Sequence, residues 1–529
     1  MWVVTYVFAF LVVRAVLVAI SRFSRRARTS AGPEKRLPPG PGGLPLLGSV
    51  HKMPLKYQEK RFFEWGKQYG DVIYLKLFRT PTIVLNSLQA ATDVLTKRSA
   101  KHSDRPRMVL LAELMNQASS LPAMPYGERF RKHRRWMHEA VGTKERLDAY
   151  RSIQLREVRN LLKNLLSSPE RFIQHCHLYV AAIMLEIAYG RRVNSLDDAL
   201  VAVADRAITG INDAGTPGAM IVDFFPSLKA LPTWLPGAGF KARALTVGKY
   251  VQAWKDTGYG MVKTAMDRGD PMPCATATLL EEVGAAPTPE EAEDIKGLGC
   301  SVYGGMLSCI TWLICGQTRG ALIVFMLAMT RNPDVLRKAQ EEIDSVVGRD
   351  RLPGFSDRGA LPYLEAMLEE LYRWNPPLPL AIPHRSVTED DYRGYVIPER
   401  CLVMPNIWAI TRDPAVYPDP EEFRPERFMH NANTGSTDAD IPLPSSYVFG
   451  FGRRSVICPG QALADPTLWL AMAQTIAAFD IRKPLDAEGN EVTPPAAFKS
   501  GFTSEPEPFQ CRVVPRSERL VRMITETVV

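Results

Sequence analysis

Apolar and polar positions along this chain follow two periods, and these divide it into a large helical part and a smaller β part. Residues 72–77 (VIYLKL) and 82–85 (TIVL) are apolar, β-rich runs bounded by turn residues. They predict two short strands around a turn at Thr80-Pro81. Ser87 stands where an N-cap is needed, ahead of Ala90, Ala91, Val94 and Leu95 at helical spacing. From about residue 144 to residue 190, apolar residues recur every three and four positions, which predicts helix with a buried face. The same period runs from residue 290 to residue 348. A break is expected at Asn332-Pro333, because proline lacks the N–H of a helix interior and clashes with the preceding turn. Pro362 suits the first turn of a further helix. After Gly394 strands and irregular segments dominate. No internal repeat or second domain boundary interrupts the pattern, so it predicts one mainly α domain with a smaller β portion.

Three stretches depart from amphipathic patterning. Residues 1–20 are almost wholly apolar apart from Arg14, and are followed by Arg22, Arg25, Arg26 and Arg28. About 20 apolar residues span a bilayer as a helix. The charge follows the stretch, whereas a cleaved leader has it in front, and it would hold the rest of the chain on the cytosolic side. Residues 1–20 are therefore expected to be one N-terminal transmembrane helix. Residues 21–48, basic and then rich in proline and glycine, read as a stiff linker, and residues 49–529 as the folded domain. Residues 297–318 carry no charge, but they are rich in Gly, Ser, Cys and Thr, which suits a helix through a protein core better than a second span. Residues 224–237 form an apolar, proline-broken loop, expected to be buried or to touch lipid or substrate.

Composition narrows the function classes. Hydrophobic content of 46% and charged content of 23% are ordinary for a globular protein and exclude wholesale disorder. The net charge of +8 admits an anionic partner, but the basic linker supplies much of it. Zinc-finger spacing and aromatic-basic RNA-binding runs are both missing, so no nucleic-acid partner is expected. The eight cysteines are scattered without a C-x-x-C pair, which argues against a disulfide framework or zinc site and for a reducing compartment. The eight histidines show no H-E-x-x-H spacing, and no G-x-G-x-x-G joins a strand to a helix. A redox function would therefore draw its electrons from another protein.

The chemistry lies in an ordered set of motifs. Glu370 and Arg373, three residues apart, share one helix face. Phe423-Arg424-Pro425-Glu426-Arg427-Phe428 follows, and then the glycine-rich basic loop Phe449-Gly450-Phe451-Gly452-Arg453-Arg454-Ser455-Val456-Ile457-Cys458-Pro459-Gly460. This order closely resembles the cytochrome P-450 family. Tyr126-Gly127-Glu128-Arg129-Phe130 with Arg134 and Arg135 is similar to that family's C-helix. Ser103-Asp104-Arg105-Pro106 and Ser504-Glu505-Pro506-Glu507-Pro508-Phe509 resemble its fungal microsomal branch, the O-methylsterigmatocystin oxidoreductase-like enzymes.

The resemblance implies the cytochrome P-450 fold and a haem b cofactor whose iron takes Cys458 as its axial thiolate. Such a thiolate pushes electron density toward O–O cleavage, and a following helix N-terminus favours its ionised form. Phe451, Gly452 and Gly460 would shape the loop around the sulfur. Arg134, Arg453 and Arg454 would pair with the haem propionates. Arg385 is a further propionate partner by this reading, with a strand-end polar pair at His384-Arg385 the equal alternative. Glu370, Arg373 and Arg427 correspond to a structural triad of mutually satisfied buried charges. The implied activity is O2-dependent monooxygenation of a lipophilic small molecule in fungal secondary metabolism or detoxification, fed by an NADPH-cytochrome P-450 reductase. The implied location is the endoplasmic reticulum membrane, single-pass, with residues 49–529 as a cytosolic haem-thiolate domain. Substrate would enter near the Phe224–Trp234 loop and sit among the Met108, Leu380 and Phe502 regions.

Departures from the family pattern keep two other readings open. Ser455-Val456 lengthens the cysteine loop by two residues. The place of the family's acid–alcohol pair falls on Gly316-Gln317-Thr318, and no Asp or Glu stands between Asp294 and Asp334. Gln317 and Thr318 are then the candidate catalytic residues, with Thr311 a second source of a hydroxyl, and residues 306–314 read as inserted. Phe130 replaces a customary Trp, and Pro466 falls within the helix after Cys458. One alternative is a reductase-independent haem isomerase or dehydratase, which does not need the acid–alcohol pair. The other is an inactive paralogue, or a gene product that retains intron-derived residues.

Overall fold

The computed structural model of the chain describes residues 36–214, 221–270, 272–284, 286–305, 314–429, 441–452 and 458–526. The expected anchor at residues 1–20, most of the linker, and the inserts at 306–314 (all but its last residue) and 455–456 lie outside these.

The longer helices are α1 (Gln58–Tyr69), α2 (Glu128–Val141), α3 (Lys144–Ser167) and α4 (Phe172–Tyr189). Next come α5 (Ala199–Ala214), α6 (Gly239–Asp267), α7 (Ala275–Val283), α8 (Pro289–Gly305) and α9 (Ile314–Arg331). The series closes with α10 (Pro333–Val346), α11 (Pro362–Trp374), α12 (Gln461–Ala478) and α13 (Glu518–Glu526). Local chemistry sets these limits. The Thr143 side chain caps α3 by accepting from the Arg146 N–H. The helical pattern of 144–190 divides in two because Pro169 follows Ser168, and α4 ends on Gly190 in the left-handed conformation, φ 70°. The break expected at Asn332-Pro333 separates α9 from α10.

Helix α4 is apolar on nearly every side and packs against α3, α8 and α9, so it is the centre of the helical core. By length and hydropathy its segment, Pro169–Tyr189, is the one helix among the described residues that passes for a membrane span, yet 72% of it is buried inside the protein. Helix α12 runs through Pro466 without ending. Around that proline Thr467 Oγ1 donates to the Leu463 carbonyl (2.6 Å), and Tyr179 Oη donates to the Thr467 carbonyl (2.9 Å).

The β portion is small. Strands β1 (Val72–Leu77) and β2 (Thr80–Leu85) form an antiparallel hairpin in which Leu77 faces Thr80, so the turn is Phe78-Arg79, with Phe78 at φ 54°. The expected turn at Thr80-Pro81 was two residues late. Pro81 is tolerated at the start of β2 because pairing with the next strand begins only at Thr82. Beyond the hairpin lie β3 (His384–Arg385), β4 (Asp390–Tyr392), β5 (Tyr395–Ile397) and β6 (Leu402–Pro405). The main sheet has the order β1-β2-β6-β3, while β4 and β5 pair separately. A third sheet pairs β7 (Phe479–Arg482) with β8 (Arg512–Pro515). Two apolar clusters meet at the cysteine loop: Cys458 belongs to the helical core, and Phe451 to the cluster built on the main sheet.

Candidate active site

The cysteine loop is shaped by backbone that only glycine adopts easily. Gly450 and Gly452 have φ of 110° and 115°, where a Cβ is strained. The Gly452 N–H donates to Thr96 Oγ1 (3.1 Å), and the Cys458 N–H donates to the Phe449 carbonyl (3.0 Å). Phe451 is buried against Tyr447, with ring centroids 6.5 Å apart. Gly460 is the N-cap of α12, so Cys458 stands just ahead of a long helix's positive end. Arg453 and Arg454 lie outside the described residues.

Cys458 lines a cleft with Phe449, Phe451, Ile382, Arg105 and His384. A second cleft shares Val448 and Phe449 with the first and is walled by Thr318, Ala321 and Ala464. Thr318 is buried on α9, whereas the side chain of Gln317 lies outside the described residues. Leu378 and Ile382 line the cleft rather than Leu380 between them. Cys176, Cys274, Cys300, Cys401 and Cys511, all buried, are no rivals to Cys458. Burial pushes Cys176, Cys300 and Cys511 up to about 12 and Cys274 up to about 11, and none of them lines the cleft.

The basic end of the cleft differs from expectation. Side chains alternate along a strand, so His384 and Arg385 point to opposite faces. Arg385 pairs with Asp104, its Nε 3.0 Å from Oδ2, and does not line the cleft. His384 does, buried, with Nδ1 donating to the His102 carbonyl (2.9 Å); burial holds its imidazole well below the usual range. Arg105 is 4% exposed and donates through Nη1 to the Ile382 and Pro383 carbonyls, 3.1 Å each. Strand periodicity would have flagged His384. Nothing in the sequence marked Arg105 beyond its place in Ser103-Asp104-Arg105-Pro106. Arg134 sits half-buried on α2, outside the lining of the cleft. Phe130, on the same helix, is buried against Tyr126.

A soft sulfur donor in an apolar slot, with two basic side chains at one end, fits an iron porphyrin that carries carboxylates.

Glu370, Arg373 and Arg427 come together away from solvent. Arg373 donates to Glu370 through Nε (2.6 Å) and Nη2 (2.8 Å), and to the carbonyls of Thr411, Pro420 and Glu422. Arg427 Nε lies 3.4 Å from Glu370 Oε1, which also accepts the Arg424 N–H (2.7 Å). Burial lowers the Arg427 guanidinium from its usual range, and holds nearby Arg412 down to about 10.

The apolar loop after α5 closes over the β1–β2 turn. Phe224 and Phe225 pack on Phe78, at 5.4 and 4.9 Å between centroids, while Trp234 is 78% exposed. Asp223 Oδ1 accepts the Leu110 N–H (2.9 Å), and burial raises its carboxyl to about 6. A carboxyl raised in the fold binds its proton more tightly than in the unfolded chain. Its contribution to stability is therefore full below about pH 4 and is lost as pH rises to about 6. Asp223→Asn is expected to flatten that part of the melting-temperature profile between pH 4 and pH 6.5; an unchanged profile would remove Asp223 as its source.

Comparison with known proteins agrees with this geometry. The family model described as Cytochrome P450 matches residues 38–300 and 306–513. The chain is 42% identical over 512 residues to cytochrome P450 monooxygenase 176 of Postia placenta, covering 96% of this chain and 94% of that one. It is 38% identical over 517 residues to cytochrome P450 monooxygenase COX2 of Coprinopsis cinerea (98% and 96%). It is also 37% identical over 509 residues to tryptamine 4-monooxygenase of Psilocybe cyanescens (95% and 96%).

Proposed function

Because the chain belongs to the cytochrome P450 family, a haem-thiolate monooxygenase class, we propose that it inserts one oxygen atom into a lipophilic small molecule, with Cys458 as the iron's ligand. Its electrons come from a separate NADPH-dependent flavoprotein reductase, since no dinucleotide motif stands in the chain. The observation that carries this reading is the cleft in which Cys458, just ahead of the α12 N-terminus, faces the same space as Arg105 and His384. The membrane anchor at 1–20, the linker at 21–48, the endoplasmic reticulum location and a role in secondary metabolism or detoxification belong to the same proposal.

Haem held through a thiolate supplies oxygen activation. The chain's residues do the rest. The backbone of Gly450 and Gly452 folds the loop so that the sulfur faces the cleft. Phe449 and Phe451 keep water from it. Arg105 offers charge to a propionate, and a carboxylate placed beside His384 would supply the counter-charge its Nε2 needs to take up a proton. Arg134, Arg453 and Arg454 are further propionate partners by family resemblance. Thr318 presents the hydroxyl nearest to the family's relay position, with Gln317 beside it, and no carboxylate lines the same cleft among the described residues. The absence of that acid keeps a second reading in play: a haem isomerase or dehydratase that consumes neither NADPH nor O2.

The deciding experiment is turnover of lipophilic substrates by the membrane-bound chain with and without NADPH and reductase. Product that depends on both supports monooxygenation, and product formed without either supports the second reading. Within the site, Arg105→Ala and His384→Ala are each expected to lower haem retention several-fold on gel filtration, whereas Arg385→Ala leaves it near the wild-type level. Equal losses in all three would return Arg385 to the propionate set.

A further inference from the structure

Residues 497–507 fold back on themselves. The Lys499 N–H donates to the Glu505 carbonyl (2.7 Å), the Glu507 N–H donates to the Ala497 carbonyl (2.9 Å), and Phe498 pairs with Pro506. Phe502, inside this hairpin, packs against the helical core. The returning leg is fastened to the turn after α11. The Ser504 N–H donates to the Pro377 carbonyl (3.0 Å), Ser504 Oγ donates to Asn375 Oδ1 (2.9 Å), and Asn375 Nδ2 donates to the Ser504 carbonyl (3.3 Å). Asn375 and Ser504 are both buried.

The next residue, Glu505, is fastened to α9. Arg319 Nη2 donates to its Oε1 at 2.6 Å. Gly320 has no side chain to hold the hairpin off: a Cβ there would stand 3.3 Å from Glu505 Cγ, tighter than ordinary van der Waals contact. The arginine side chain is 25% exposed and the glutamate 16%. Water therefore screens the pair less than it screens a surface ion pair, and the attraction is stronger. In the chain, Arg319 and Gly320 stand between Thr318 and Ala321, which wall the second cleft, and Pro377 walls the same cleft. Two adjacent residues, Ser504 and Glu505, thus bridge two walls of one cleft, α9 and the turn after α11. The tie to the turn is made by uncharged groups, and the tie to α9 by an ion pair.

We propose that Arg319 and Glu505 form a specificity-determining clasp: the pair holds the 497–507 hairpin against α9 and so sets how bulky a molecule the space beside Thr318 admits. The clasp rests on the haem-thiolate reading above, which places the substrate beside Thr318. Both are positioning residues, acting through the hairpin and not by touching the substrate. Removing either charge frees Glu505 from α9 while Ser504 stays tied to Asn375 and Pro377. The hairpin then swings on its remaining tie instead of unfolding, and the cleft opens to larger molecules without losing the smaller ones.

The test is optical titration of the haem-loaded full chain with two azoles, imidazole and the bulky clotrimazole. Each ligates haem iron through nitrogen at the position opposite the thiolate and shifts the Soret band. Arg319→Met and Glu505→Gln are each expected to tighten clotrimazole several-fold while imidazole keeps its wild-type affinity. The reversed pair, Arg319→Glu with Glu505→Arg, is expected to return the ratio of the two affinities toward wild type. A general loss of stability moves both azoles together and leaves that ratio alone. Glu505→Gln removes the charge at nearly constant shape, so it answers the question even where Arg319→Met fails to fold. A ratio unchanged in both single variants, or a reversed pair as permissive as either, would overturn the clasp while the wild-type shift upholds the haem reading; a wild type that neither azole shifts would overturn both.

Discussion

Cys458→Ala is expected to abolish the strongly red-shifted Soret band that the reduced, carbon monoxide-treated wild-type protein gives, and with it all NADPH-dependent turnover. The reason is chemical. A thiolate is the electron-rich ligand this chemistry needs, and Cys176, Cys274, Cys300 and Cys511 are thiols whose ionisation burial disfavours, outside the cleft. A neutral ligand in place of the thiolate would move the band to the position typical of histidine-ligated haem. Haem content and band position are read from the same sample, so loss of cofactor and change of ligand are separated. A variant that kept the red-shifted band would show that another residue ligates the iron.

Glu370→Ala is expected to be the most destabilising single change outside the haem cleft. It removes the one carboxylate that two buried arginines share, and both Glu370 and Arg373 have no exposed surface. Breaking a buried ion cluster from one side costs about 3–5 kcal/mol, a large fraction of the roughly 5–15 kcal/mol that holds a domain together. The expected result is a melting temperature lowered by several degrees or more and poor recovery of haem-loaded protein, with the spectrum of any surviving holoprotein unchanged. A wild-type melting curve would show that the carbonyls of Thr411, Pro420 and Glu422 satisfy Arg373 on their own.

Much of the helical framework was legible because period and punctuation agree. Pro362, Asn332-Pro333 and Ser87 act within one turn of themselves, and each stands where a helix starts or stops. The turn after β1 was misplaced because Thr80-Pro81 carries a turn-like sequence, whereas the pairing of Leu77 with Thr80 needs only Phe78 to accept a positive φ. In the site, the order Glu370, Arg373, Arg427, Cys458 was readable because each motif is local. The basic end of the cleft was not. Arg105 and His384 are 279 positions apart in the chain, and only the placement of β3 beside residues 102–104 brings them together. Arg385, one expected propionate partner, pairs with Asp104 on the other face of β3.

The position of the cysteine loop between two apolar clusters has a consequence for assembly. Cys458 packs with the helices and Phe451 with the main sheet, seven residues earlier. Residues of both clusters line the cleft, so a cofactor bound there would add its binding energy to the cohesion between them as well as to each alone. Loss of haem should therefore split one cooperative melting transition into two, the sheet cluster parting from the helices before either unfolds.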